Sequence, residues 1–187
     1  MSHIDEATYK KLYPLRFYKD GKTGVFWDVE DYPIPDGLDP ASIYQSIKEA
    51  VKKHGCDAEV TIHAYADDNT FSDELRRQFS DGGFKFEVST AEGGKYAIHC
   101  AMYADIMIWT LENPTPSNLV VLANIMEDDI GEGIGCLTTV WFYGVLLSQA
   151  KPKWRLPVGS APSFLTSIFD GGEEIFSGSS QDNVSGS

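Results

Sequence analysis

Carboxylates gather at three places in this chain. Asp28, Glu30 and Asp31 end the apolar run GVFWDV and precede the breaking segment PIPDG; Glu127, Asp128 and Asp129 cluster in LANIMEDDIGEG; Asp105 stands alone inside KYAIHCAMYADIMIWTLE. Carboxylates brought together act as general acid and base, as in the hydrolysis of a glycosidic bond. Spacing alone leaves a second reading open for the first group, because Asp also favours the turns that leave strands and the caps of helices. Asp105 is unusual in its surroundings of Ala101, Met102, Ile106, Ile108 and Trp109. A carboxylate buried there is costly unless it is paired or bound to a metal; the alternative is an exposed Asp on a narrow polar face.

The elements that must position these acids follow from period and punctuation. Short apolar or β-branched runs at 24–29, 59–66, 84–88, 119–123 and 142–148 predict five strands. Helices are predicted over 40–54, with Asp39 as N-cap and Pro40 at the first helical position, and over 72–79, 95–112 and 129–140. Gly55 and Pro114 close the first and third of these from outside. Alternating strands and helices imply an α/β fold with a mainly parallel five-stranded sheet covered on both faces. In such a sheet ligands collect outside the carboxyl ends of the strands, and Asp28 ends the first one. Residues 1–22 read as an N-terminal extension, 23–176 as one domain and 177–187 (SGSSQDNVSGS) as a disordered polar tail.

Other chemistries find less support. His63 and His99 read as core or surface histidines, since no HExxH or HxH spacing marks a zinc site. Gly93-Gly94-Lys95 lacks the spacing of a phosphate loop, and acids stand after the first strand where a dinucleotide fold needs glycines. Cys56, Cys100 and Cys136 are odd in number and widely spaced, and read as buried thiols. No run reaches the roughly 20 apolar residues of a membrane span, and the N-terminus lacks the apolar core of a signal peptide, so an intracellular, soluble protein is expected. The formal net charge of −13 repels polyanions at long range.

Longer stretches carry a family resemblance. TGVFWDVEDYPIPDG, IYQSIKEAVKKHG, TIHAYADDN, GGKYAIHCAMYADIMIWTLENPTPSNLVVL, and GVLLSQA with APSFLTSIFDGGEE resemble, in this order, a plant NYN domain of the limkain-like group, over roughly residues 23–175. NYN domains belong to the PIN-like nuclease superfamily. The resemblance implies a three-layer α/β/α domain, cleavage of RNA with Mg²⁺ or Mn²⁺, an acidic cluster at the strand ends, a role in RNA processing or regulation of gene expression, and an association with peroxisomes. On it, Asp28 matches the metal-holding acid at the end of the first strand, Asp31 a position held by Asn or Asp, and Asp105 the acid of the third helix. Hard divalent cations prefer such oxygen ligands and assist attack on a phosphodiester.

This chain departs from the pattern after its fourth strand. Relatives carry a G-D-x-D-F turn whose acids complete the metal cluster; here the best alignment places Glu127 and Asp129 on those acids, with Asp128 between them, and a shift of one residue exchanges the roles. No Lys or Arg occurs from Tyr96 to Ala150, although nucleic-acid affinity rests largely on cations against phosphates. Lys151, Lys153 and Arg155, interleaved with Trp154, form the best candidate for weak RNA contact with stacking. Two functions stay open: a metal-dependent endoribonuclease using Asp28, Asp105 and acids from 127–129, or a degenerate module that binds RNA or protein partners without turnover.

Overall fold

The computed structural model describes residues 7–8, 11, 16–67, 71–89, 93–148 and 159–160. Strands and helices alternate as β1 (Lys22–Asp28), α1 (Pro40–Lys53), β2 (Val60–Asp67), α2 (Asp73–Asp81), β3 (Lys85–Ser89), α3 (Gly94–Glu112), β4 (Ser117–Leu122), α4 (Asp128–Thr139), β5 (Gly144–Leu147) and β6 (Gly159–Ser160). Every pairing in the sheet is parallel. The five expected strands and four expected helices are present, and the fold is the three-layer α/β/α arrangement. The two-residue β6 extends the sheet beside β5, and it is too short to leave a hydrophobic period.

Strand order places the acids. The sheet runs β3-β2-β1-β4-β5-β6, so the chain builds outward from β1 in one direction and returns to build in the other. The carboxyl end of β1 therefore lies at the switch point, where the loops on either side diverge and leave a crevice. Asp28 is the last residue of that strand.

Alternation along β1 sorts the two cores. Val25 and Trp27 pack with Ile43, Ile47, Val51 and Phe79 beneath α1 and α2; Phe26 packs with Ile98, Met102, Ile106 and Trp109 of α3. By the same period of two, Gly24 and Asp28 share the α3 face. Thr61 shares it too, accepting a hydrogen bond from the Trp109 indole at 3.0 Å.

Local signals fix the helix ends on the opposite layer. Asp39 caps α1 by accepting from Ser42 N at 2.9 Å, and Ser72 caps α2 by accepting from Leu75 N at 3.2 Å. The fifth strand starts later than its apolar run suggests, because Phe142 takes φ 61° and breaks the extended backbone just before Gly144. The expectation of three buried thiols needs correction: Cys56 is buried, Cys100 is half-buried and Cys136 on α4 is exposed. Among the described residues no helix is long and apolar enough to cross a membrane.

Candidate functional site

The site begins with a turn. Asp28 Oδ1 accepts from Glu30 N at 2.9 Å and Asp31 N at 3.2 Å, the Asx geometry that ends an extended strand. Both readings of this acid hold at once, since one carboxylate shapes the loop and also faces the crevice. Asp28 is wholly buried.

Two cations from α3 meet it. Lys95 Nζ lies 3.0 Å from Asp28 Oδ2, 3.1 Å from Glu30 Oε2 and 3.2 Å from Asp31 Oδ1, so the three N–H donors of one ammonium find three carboxylates. His99, one turn later, places Nε2 3.1 Å from Asp28 Oδ2 and 3.4 Å from Asp31 Oδ2, while Nδ1 lies 2.9 Å from Glu127 Oε2. Ionised carboxylates only accept, so both ring nitrogens donate and the ring is an imidazolium. The i, i+4 spacing puts both side chains on the same face of the helix, and the amino end of α3 adds its own positive dipole.

The electrostatics follow from these contacts. Burial alone would lower the His99 pKa, but the hydrogen bonds to Asp28, Asp31 and Glu127 outweigh it and raise the ring to about 10. Burial likewise opposes the charge on Lys95, and the bonds to Asp28 and Glu30 with the charge of Asp31 push it above the ordinary lysine range. For Asp31 burial acts upward, yet hydrogen bonds from His99 and Asn124 N and the charge of Lys95 bring it down to about 2. Asn124 N donates to Asp31 Oδ2 at 2.8 Å and its side-chain oxygen accepts from the Tyr32 hydroxyl at 2.8 Å. These two bonds tie the β1 and β4 loops across the crevice.

The predicted acids separate into two groups. Asp28, Asp31 and Glu127 converge, with Glu30 beside them. Asp105 goes elsewhere: it lies six residues beyond His99, about 9 Å along the helix axis, and accepts from the Tyr65 hydroxyl at 2.9 Å. That pairing accounts for a half-buried carboxylate on an apolar helix. Asp128 and Asp129 are exposed in the first turn of α4, and Asp129 accepts from the Tyr96 hydroxyl at 3.0 Å. Lys151, Lys153, Trp154 and Arg155 lie outside the described residues. His99 and Lys95 are the participants that sequence reasoning missed. Their i, i+4 spacing puts them on one face of α3, but no polar stripe marks that face as the one turned to Asp28.

One ligand atom each from Asp28, Asp31 and His99 lies within 4.8 Å of the others. A profile of the NYN domain family matches residues 22–127. The chain belongs to the NYN domain family. The match spans every residue of the cluster, from Asp28 at the end of β1 to Glu127 at the cap of α4. No curated protein matches the chain. In this NYN domain the donor set suits a divalent cation: two carboxylates and an imidazole nitrogen lie close together, and Glu127 takes the other ring nitrogen, as carboxylates that orient ligating histidines do. Lys95 and the His99 proton compete for the same oxygens, because a metal requires its ligands deprotonated.

Proposed function

We propose that this NYN domain is a divalent-metal-dependent endoribonuclease, with Asp28, Asp31 and His99 Nε2 holding the ion and Glu127 orienting His99. The observation that carries the reading is the convergence of those ligand atoms within 4.8 Å at the switch point of the sheet. Mn²⁺ suits the mixed oxygen and nitrogen donors better than Mg²⁺, which favours oxygen and water. When bound, the ion would polarise the scissile phosphate and supply a nucleophile at neutral pH. The protein's own part is positional. Asp28 is held by its turn, Asp31 by Asn124 and His99 by Glu127, while Lys95 and the His99 proton would give way to the ion. Lys95, 38% exposed at its side chain, offers a cation to the phosphodiester once its carboxylates turn to the metal.

The motifs shared with the limkain-like plant group extend this proposal to RNA processing or regulation of gene expression, with a peroxisomal association. RNA binding by the chain alone is weak on this reading, since no Lys or Arg follows Lys95 until Lys151. The domain boundaries are proposed as 1–22, 23–176 and 177–187.

A non-catalytic module is the second reading, and one observation favours it. Lys95 and His99 already compensate the acids without a metal. Cleavage of a labelled unstructured RNA in Mn²⁺, for wild type and Asp28→Asn side by side, separates the two. A rate that collapses in the variant supports the nuclease; equal background rates reject it.

A further inference from the structure

Beside the acid cluster, on the α1 and α2 side of the sheet, lies a cleft of about 830 Å³. Pro33, Pro35 and Pro40 line it, together with Phe71 and Leu75. Each proline fixes its own φ and carries no N–H that must be satisfied. Phe71 is held by edge contact with Phe79, ring centroids 5.8 Å apart, and by Phe86 at 5.7 Å. Leu38, 42% exposed, stands at the rim. A cleft shaped this rigidly loses little entropy when an apolar side chain enters.

Charge decides what enters. Glu30, Asp36, Asp39 and Asp67 line the cleft, and among the described residues no Lys or Arg does. With a chain net charge of −13, a phosphodiester is repelled from this face, whereas a cationic segment is drawn to it. Glu30 belongs to both places: Oε2 meets Lys95 at 3.1 Å, and Oε1 accepts from Asp67 N at 3.2 Å. The cleft and the acid cluster therefore share one wall but present opposite demands, apolar on one side and ionic on the other.

We propose that this cleft docks a short segment of a partner protein in which an apolar side chain is flanked by Lys or Arg. The apolar side chain packs against the prolines and Phe71, and the flanking cations meet the carboxylates at the rim. The proposal is independent of metal binding and of RNA cleavage.

Selection of phage-displayed random peptides on the whole chain tests it, followed by fluorescence titration of the most enriched peptide. Enriched sequences should share an apolar residue between basic ones. Affinity should fall on the order of tenfold in Leu38→Arg, which fills the rim and sets a positive charge against the incoming cations. It should fall again as salt rises. Folding of the Leu38→Arg protein is checked by circular dichroism, and Gln78→Arg, at an exposed lining position, provides the second variant. Failure to enrich any peptide, enrichment without basic residues, or binding that survives both variants would overturn the proposal. So would displacement of the peptide by unstructured RNA, which would make the cleft a nucleic-acid surface.

Discussion

The Lys95 ammonium lies 3.0 Å from Asp28 Oδ2, across 67 positions of sequence, and that carboxylate is wholly buried. A buried charge left without its partner costs several kcal/mol; here the part-exposed Lys95 and the second cation, His99, moderate the loss. Lys95→Met should destabilise the metal-free protein by about 1–2 kcal/mol. The same change removes a competitor for the carboxylate oxygens, so Mn²⁺ should raise the melting temperature more in the variant than in wild type. Thermal melts in chelator and in Mn²⁺ read both effects. Equal Mn²⁺ shifts in the two proteins would show that Lys95 does not occupy the cation's place.

Glu127 and its neighbours provide a sharper contrast. Glu127 reaches His99, at 2.9 Å from Nδ1, whereas Asp128 and Asp129 are exposed. Glu127→Gln should weaken Mn²⁺ binding about 10- to 100-fold, as loss of a carboxylate behind a ligating histidine does. Asp128→Asn and Asp129→Asn should leave it nearly unchanged. Calorimetric titration of the three variants measures this directly, and a larger loss in Asp129→Asn would move the site outward. Asp105→Asn should resemble the outer pair, because its carboxylate meets the Tyr65 hydroxyl rather than the cluster.

The fold was legible for physical reasons that the site only partly shared. β1 and β4 are buried at nearly every position, so they read as continuous apolar runs bounded by turn residues, and Asp39 and Pro40 announce α1 without ambiguity. Asp28 was legible because a parallel sheet places ligands at strand ends. Lys95 and His99 were not, because α3 is apolar on most sides, with Ile108 and Leu111 exposed while Ile98 and Ile106 are buried. Without a clear polar stripe, nothing in the helix says which face turns toward Asp28. The ambiguity among residues 127–129 had the same root, since a one-residue register error in a loop leaves no hydrophobic trace.

Gly24 tests how closely α3 is pressed against the sheet. It faces the Trp109 indole, and a Cβ there would lie 2.8 Å from Trp109 Cε2. Phe26 Cε2 would lie 2.9 Å away as well, and the indole is held by its hydrogen bond to Thr61, so neither ring gives way cheaply. Gly24→Ala should cost about 1–3 kcal/mol by overpacking. Because Trp109 shares α3 with Lys95 and His99, the variant should also reduce the Mn²⁺ shift if the helix moves outward. Urea unfolding gives the first number, and no change in midpoint would mean that the layer is more compliant than its contacts imply.

His63 carries the pH prediction. It sits on β2 facing α3, its ring stacked on Phe26 at 4.7 Å, and among the described residues its Nε2 has no hydrogen-bond partner. Burial, helped by the charge of Lys85 and opposed by that of Asp105, lowers its pKa from 6.5 to about 4. A histidine depressed on folding binds its proton more readily in the unfolded chain, so stability is complete above the unfolded value and falls as pH drops from 6.5 toward about 4. The full loss is on the order of 3 kcal/mol. His63→Phe keeps the stack and removes both the titration and the unsatisfied nitrogen, so at neutral pH it should change stability by less than about 1 kcal/mol. At about pH 5 the variant should be the more stable of the two by an amount that grows as pH falls. Denaturant unfolding of both proteins across this range decides the matter: parallel curves would show that His63 does not titrate with folding.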